Sequence, residues 1–464
     1  MFAVYIGPVT RSAHPLPPIS SPKPTRTRWW ILGLLLLISI VTYIDRVNIS
    51  VAARQMMPAL GLTDIQMGQV FSAFVLGYAL FQIPGGWLGD RWGPRTVLAL
   101  AVLWWSIFTA ATAIAPTLWI AEWFGVLGSL MLMRFLIGVG EAAALPNFNR
   151  TVANWHPPRE RGFGMGLTIG GIGIGSALTP PVTAWIMVNY GWQTAFYLAG
   201  LLGMGIALLW WWYATDRPGD HPHVNKAELE LIIGEPRIQV EDRALTPASR
   251  TGQPADRLDR HRTVPWKAMV QTPTVWWLVI SYTCLGYVAY IYMSWFYLYL
   301  VNVRGFDELH GALYASAPFV AMTVFCPLGG WMTDRMAHRY GVNTGRASIG
   351  SAGMILAALC IIVGTNVQTS FLALSLLSIG AGWLYFTVGA FWASTMDLSQ
   401  PHAGTISGIM NTGANLGGTL SPTLTPWLAD QFGWSVALGC AAGIAGAGGC
   451  LWFWIRPSDG LRKN

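Results

Sequence analysis

Runs of about twenty mostly apolar residues, separated by short polar turns, recur along nearly the whole 464-residue chain. A helix of about twenty residues spans the roughly 30 Å hydrocarbon core of a bilayer, where each backbone N–H and C=O must be satisfied within its own segment. Such runs therefore predict a bundle of membrane-spanning helices. Twelve can be placed, at 29–54, 66–88, 96–116, 126–149, 161–187, 194–214, 272–301, 309–333, 346–364, 369–395, 403–429 and 434–455. The stretch "TLWIAEWFGVLG" (117–128) is too apolar for an ordinary loop and reads as an interfacial turn bearing Trp119 and Trp123. Charged residues make up only 11% of the chain and hydrophobic ones 53%, against roughly 25% charged in soluble domains. An ordinary soluble protein is excluded.

The net charge of +7 does not point to nucleic acid, because the basic residues lie in short connections between apolar runs. Arg91, Arg95, Arg150, Arg159, Arg161, Arg335, Arg339 and Arg346 fall on one side of the predicted membrane, and little beyond Arg54 and Arg304 on the other. The positive-inside rule then places both termini in the cytoplasm. The expected layout is a polar, Pro-rich tail (1–28), six helices (29–214), a cytoplasmic loop of mixed charge (215–267), six more helices (268–456) and a short tail (457–464). Within the loop, "NKAELELII" suits a short surface helix and the rest a linker. The five cysteines all lie in apolar segments without C-x-x-C spacing, and the histidines lack metal-ligand spacing. No nucleophile motif or phosphate-cradling loop occurs, so neither an enzyme nor a metal or organic cofactor is expected.

The two halves repeat. "PGGWLGDRWGPR" (84–95) returns as "LGGWMTDRMAHR" (328–339), "SALTPPVTAWI" (176–186) as "GTLSPTLTPWL" (418–428), and "YGWQTA" (190–195) as "FGWSVA" (432–437), at offsets of 242 to 244 residues. A six-helix unit duplicated in parallel is a transporter layout, with its site near the bilayer midplane where the halves meet.

Few charges lie deep within a predicted helix: Asp45, Arg46, Arg134 and Glu141. Each costs at least about 2.5–3.5 kcal/mol to insert, which implies a partner or a task. Asp45 and Arg46 cannot simply neutralise one another, since helix neighbours point about 100° apart. Arg134 and Glu141, seven apart, share one helix face. Asp45 is expected to reach Arg134, leaving Arg46 to meet an anion in the cavity with a guanidinium fork that fits a carboxylate. Protonating Asp45 would free Arg134, and protonating Glu141 would remove a negative charge near the site, so proton and anion binding would favour each other. A purely structural network locking two helices is the competing reading.

"GGWLGDRWGPR" resembles the loop between helices two and three of the major facilitator superfamily, with Pro94 in place of the usual first basic residue. "YIDRVNISVAA", "RFLIGVGEAAALPNF" and "FWAST" resemble the anion:cation symporter family within it, which includes proton-coupled hexonate, hexuronate and aldarate carriers such as those for D-galactonate. The resemblance implies an all-α membrane protein of twelve helices in two pseudo-symmetric six-helix bundles, in a bacterial inner membrane. It implies uptake of a small organic anion, most naturally a sugar acid, with protons as coupling ion, by a monomer working in the lipid bilayer without nucleic acid. An organic-anion exchanger or proton-coupled exporter is the alternative. Asp45 and Glu141 match the proton carriers of galactonate-type symporters, Arg46 the substrate-holding position, and Tyr43 and Tyr78 the substrate-contacting phenols. Tyr290 belongs to a seventh helix as aromatic as the family's, and Trp392 to the family's helix-ten motif. Asn411 and Asn415, four apart on one face, either bind substrate hydroxyls or bond across helices. Gly86, Asp90, Arg91, Gly93 and Arg95, with Asp334 and Arg335 in the repeat, match the family's gating turn. At Gly171 the galactonate-type relatives carry a substrate-contacting glutamine, a departure that weakens galactonate itself as substrate. The same helix repeats small-x-x-x-small at Gly166/Gly170 and Gly171/Gly175, expected to let helices approach closely.

Overall fold

The computed structural model describes residues 23–157, 161–233, 266–399 and 403–461. Most of the N-terminal tail, Arg159, most of the central loop (234–265) and residues 462–464 lie outside that description.

The described residues form helices and no strand. Eleven helical stretches among them are long and apolar enough to cross a membrane. The first half contains α1 (Thr27–Leu60), α2 (Asp64–Trp92), α3 (Pro94–Thr112), α4 (Trp119–Glu141) continued by α5 (Ala144–Trp155), α6 (Arg161–Tyr190) and α7 (Trp192–Tyr213). After a short α8 (Lys226–Ile233) and α9 (Trp266–Gln271) come α10 (Pro273–Ser294), α11 (Phe296–Asn302), α12 (Glu308–Ala315) continued by α13 (Ala317–Tyr340), and α14 (Val342–Asn366). The chain ends with α15 (Ser370–Phe386) continued by α16 (Val388–Leu398), then α17 (Ala403–Phe432) and α18 (Trp434–Leu451). Helix α17 is 30 residues long, but its Ser, Thr, Asn and Gly content keeps it outside the apolar eleven. Large apolar side chains such as Leu80, Leu201, Leu208 and Phe371 face outward, as suits contact with lipid.

The uncertain stretch at 117–128 resolves into the first turns of α4, which break at Gly125 with a φ of 70°. Trp119 and Trp123 on those turns are 67% and 79% exposed, in keeping with interfacial side chains.

The repeat seen in the sequence is also a repeat of backbone geometry. "YGW" and "FGW" each place a glycine in the left-handed region, Gly191 (φ 82°) and Gly433 (φ 87°), directly before the tryptophan that starts the next helix. Only glycine adopts this conformation without cost, so the sharp reversals α6–α7 and α17–α18 depend on it. Packing repeats as well: α1 lies on α6, α2 on α4 and α3 on α7, as α10 lies on α17, α13 on α15 and α14 on α18.

The halves meet along α2–α17 and along α6 with α12 and α13. A Cβ on Gly68 of α2 would overlap the Pro422 carbonyl of α17, and one on Gly173 would overlap the Thr323 hydroxyl of α13. Ser72 and Thr423 hydroxyls meet at 2.9 Å, Ser316 donates to the Ala177 carbonyl at 2.5 Å, and Arg54 faces Glu308 at 3.5 Å. Gly171 and Gly175 let α6 approach α1: a Cβ on Gly171 would stand 3.0 Å from Leu36 and Ser39, and one on Gly175 3.1 Å from Tyr43. Gly170 faces open space, so the predicted Gly166/Gly170 pair is not a packing seam at its second member.

The surface helix expected in the central loop is present as α8, yet it is not merely solvated. Glu228 is fully buried. Its carboxylate accepts from the backbone N–H groups of Thr27 and Arg28 at 3.1 Å each, from the Thr25 hydroxyl at 2.5 Å and from the Arg28 guanidinium at 3.2 Å. These are the orphan donors of the first turn of α1, where a negative charge also meets the positive end of the helix dipole.

Candidate functional site

Helix α1 runs unbroken past Asp45 and Arg46, so the two point to different neighbours. Arg46 turns toward α2 and α4. Its Nε donates to Glu141 Oε2 at 2.6 Å, and one terminal nitrogen donates to the Tyr43 hydroxyl at 3.3 Å. The guanidinium lies over three rings, 4.3 Å from the centroid of Tyr78, 4.7 Å from Tyr43 and 5.2 Å from Phe74. Such aromatic faces hold a cation while leaving its in-plane donors available, at about 2 kcal/mol or more each when water is excluded. Glu141, on the last turn of α4, is fully buried and leaves its second oxygen, Oε1, without a partner.

Asp45 does not make the expected ion pair with Arg134. Arg134 instead reaches the backbone carbonyls of Asp45 and Arg46, at 3.3 and 3.5 Å, and stacks 4.9 Å above Phe74. The seven-residue spacing did align Arg134 and Glu141 on one face, but each meets a different part of α1: Arg134 the backbone, Glu141 the Arg46 side chain. The Asp45 carboxylate is 1% exposed and has Trp105 and Thr109 of α3 as its polar neighbours. Neither carboxylate oxygen, nor Trp105 Nε1 or Thr109 Oγ1, makes a hydrogen bond of regular geometry, and all are buried. Both acids are closed off from solvent in this conformation. Arg46 is therefore already paired, not free in the cavity.

The second half contributes uncharged groups. The Tyr290 hydroxyl donates to Asn415 Oδ1 at 3.4 Å, and Asn415 Nδ2 donates to the Asn411 backbone carbonyl at 3.1 Å. Asn411 Nδ2 crosses to the first half and donates to Gln82 Oε1 at 3.3 Å, while Gln82 Nε2 donates to the Tyr78 hydroxyl at 3.3 Å. Trp392, 38% exposed, donates to the Tyr282 hydroxyl at 3.2 Å. A small cavity beside Arg46 is lined by Arg134, Phe74, Ser50, Ser294 and Tyr290. Gly171, buried against α1, does not face this cavity.

At the repeated turns, Gly93 has a φ of 85° and closes α2 with Pro94 opening α3. A Cβ on Gly86 would only touch Pro146, at 3.4 Å. Arg91 lies over Trp87 and Arg95 over Trp211; Arg95 also donates to the Trp211 carbonyl at 2.7 Å. The side chain of Asp90 lies outside the described part. In the second half Asp334 does not reach across the halves: it accepts from Arg346 of α14 at 2.7 Å, and Arg346 also holds Asp397 at 2.9 Å. Arg335 lies over Trp331.

Sequence reasoning missed three participants. Gln82 sits one turn beyond Tyr78, and that i, i+4 spacing was readable. Asp216, whose Oδ1 accepts from the Arg95 N–H at 2.9 Å, caps α3 from the far side of α7, a long-range contact with no local signature. Glu228 looked like a surface residue of a short amphipathic helix.

A duplicated bundle of membrane-spanning helices, with a shielded cation at the seam of its halves, is the architecture of a membrane carrier. The model of the Major Facilitator Superfamily matches residues 35–422 and again 345–464, and the chain belongs to that superfamily. It is 32% identical over 434 residues to a probable sulfoacetate transporter, SauU, of Cupriavidus necator, covering 93% of this chain and 94% of the relative. It is 30% identical over 394 residues to a probable galactarate/D-glucarate transporter, GudP, of Escherichia coli, covering 83% of each. A hexuronate transporter of Bacillus subtilis is 29% identical over 420 residues, covering 89% of this chain and 91% of the relative. In fold it resembles a bacterial homologue of the human lysosomal transporter Spinster, with a TM-score of 0.73, 18% identity and coverage of 93% of this chain and 97% of that one.

Proposed function

We propose that this chain imports a small organic anion across a bacterial inner membrane together with protons, by alternating access of its two six-helix halves. The reading rests on one observation above all: Arg46, at the seam of the halves, is held by a single carboxylate and three aromatic rings. An incoming carboxylate or sulfonate competes with Glu141 for the same fork of donors. A proton on Glu141 removes the competitor, and a proton on Asp45 removes a negative charge buried in the low-dielectric interior. Proton and anion occupancy then rise together, and linkage makes the effect reciprocal. The named cargoes of the relatives, sulfoacetate, aldarates and hexuronates, are all small organic anions. With both termini in the cytoplasm, the cross-half contacts from Arg54–Glu308 to Ser72–Thr423 would lie toward the outside, and the conformation would open inward. The Asp334 turn, engaged within its own half, would then be a latch in its released form.

Proteoliposomes containing the purified protein test this directly. An imposed inward proton gradient should concentrate labelled D-glucarate or sulfoacetate, and an uncoupler should collapse the accumulation. Transport of both anions that is indifferent to the gradient, or an absence of transport, would overturn the proposal.

A further inference from the structure

We infer that Gln82 is a specificity-determining residue, which exchanges its hydrogen bond with Asn411 for a hydroxyl of the cargo when the cargo's acid group sits on Arg46. The inference rests on the anion-carrier reading above and deepens it, by assigning what recognises the uncharged part of the anion.

Gln82 occupies a particular place. It lies one helical turn from Tyr78, whose ring covers Arg46 at 4.3 Å, and it donates to that tyrosine's hydroxyl. The amide carbonyl accepts from Asn411 on the opposite half. Beyond Asn411 the chain of bonds continues through Asn415 to Tyr290, whose side of the cavity Arg46 shares. A polar arc, Tyr78–Gln82–Asn411–Asn415–Tyr290, thus runs from the cation on one half across the seam and back toward it on the other. Each bond in the arc is 3.1 to 3.4 Å long, at the weak end of the range for such pairs. Both Gln82 and Asn411 are only half-buried, so water or a cargo can replace either partner.

An amide is suited to this exchange. Gln82 offers an acceptor and two donors, and a hydroxyl can serve as both donor and acceptor, so one C–OH can enter the Gln82–Asn411 bond without stranding either amide. A methylene entering the same place would leave both amides unpaired, which a polar site penalises more heavily than it rewards any apolar contact. The arc therefore favours a hydroxylated acid over an alkyl acid of equal length and charge.

The decisive comparison uses D-glucarate and adipate, six-carbon dicarboxylates that differ only in the hydroxyls, with sulfoacetate as a short anion that has none. Thermal protection of the purified full-length protein and competition for uptake should both rank glucarate well ahead of adipate in the wild type. Gln82→Ala and Gln82→Leu should weaken glucarate about tenfold, the loss of one or two buried hydrogen bonds, and leave adipate within about twofold. Gln82→Asn, which keeps the amide on a shorter arm, should restore part of the preference. Equal protection of the wild type by glucarate and adipate would overturn the inference, as would variants that weaken both ligands alike or neither. Protection by sulfoacetate alone would also overturn it while leaving the anion-carrier reading intact; protection by none of the three would sink both.

Discussion

The two halves share a backbone plan and divide the chemistry unequally. In the first, α1 and α4 bring Arg46, Glu141, Asp45 and Arg134 together at depth. In the second, the corresponding region offers Tyr290, Asn415, Asn411 and Trp392, while its ion pairs, Arg346 with Asp334 and Asp397, lie at the turns. Duplication supplies the geometry of a carrier, including the paired glycine reversals at Gly191 and Gly433. Divergence then places charge compensation on one side of the seam and uncharged recognition on the other. On the proposed reading, a cargo bound between them would meet a cation on one face and amides and phenols on the other, and neither half alone would define what is carried.

This division can be broken or sharpened by experiment. The largest effect is expected at Arg46. Arg46→Ala should reduce anion uptake about 100-fold or more, and Arg46→Lys should recover only part, since a point charge does not replace the planar fork. Near-normal uptake by Arg46→Ala would remove the first half's claim on the anion. Next, Glu141→Gln mimics the protonated acid and should keep anion counterflow while abolishing gradient-driven accumulation; Asp45→Asn should behave likewise. Undiminished accumulation in both variants would end the assignment of proton handling to this half.

Packing provides a third comparison. Gly175 of α6 abuts the Ile40 carbonyl and Gly286 of α10 abuts the Ala414 backbone, equivalent seams in the two halves. Gly175→Leu and Gly286→Leu should each cost roughly 1–3 kcal/mol and lower the melting temperature in detergent. A drop confined to one variant would mean that the two seams are not equivalent. Glu228→Ala, which strands two backbone donors at the start of α1, should cost about 1–3 kcal/mol, while the same change at exposed Asp220 should be near neutral.

The smallest effect is at His221, which has no counterpart in the second half. Nε2 donates to the Tyr213 carbonyl at 3.0 Å, and Nδ1 accepts from the His223 N–H at 3.2 Å, an arrangement only the neutral ring can make. Burial holds its pKa below the ordinary value. The unfolded state then binds the proton more readily, so stability contributed here is complete above about pH 6.5 and is lost as pH falls below it. Protection against hydrogen exchange at residues 221, 223 and 224, corrected for the intrinsic pH dependence of the exchange chemistry, should fall between about pH 6.5 and 5 in the wild type. It should be unaffected by pH in His221→Gln; a wild type with the same flat profile would refute the linkage.

Much of this architecture was readable in the sequence because lipid leaves so few options. Apolar runs located the helices, the 242-residue offset located the halves, and the improbable charges located Arg46 and its neighbours. Helical spacing does not give rotation against a neighbour that is distant in sequence. Hence the pairing was misjudged: Arg46 holds Glu141, and Arg134 turns to the α1 backbone instead of to Asp45. The same limit hid Asp216 and Glu228, whose partners lie 121 and about 200 residues away. Gln82 was within reach of the sequence, being polar, inside an apolar run and one turn from Tyr78. Cargo chemistry tends to be sought at charges, and an amide was passed over.

Among the described residues, the seam between the halves is closed in part by glycine, Gly68 under the Pro422 backbone and Gly173 against the Thr323 side chain, with few hydrogen bonds and one long, partly exposed ion pair. Separating such surfaces breaks a few polar contacts and otherwise forfeits only van der Waals contact. Under the alternating access proposed above, the two poses of the carrier would then be close in free energy, and a ligand would need only a modest preference for one of them to tip the balance. Smooth glycine faces would make such a movement inexpensive, and a bulky substitution on either would jam it in one pose.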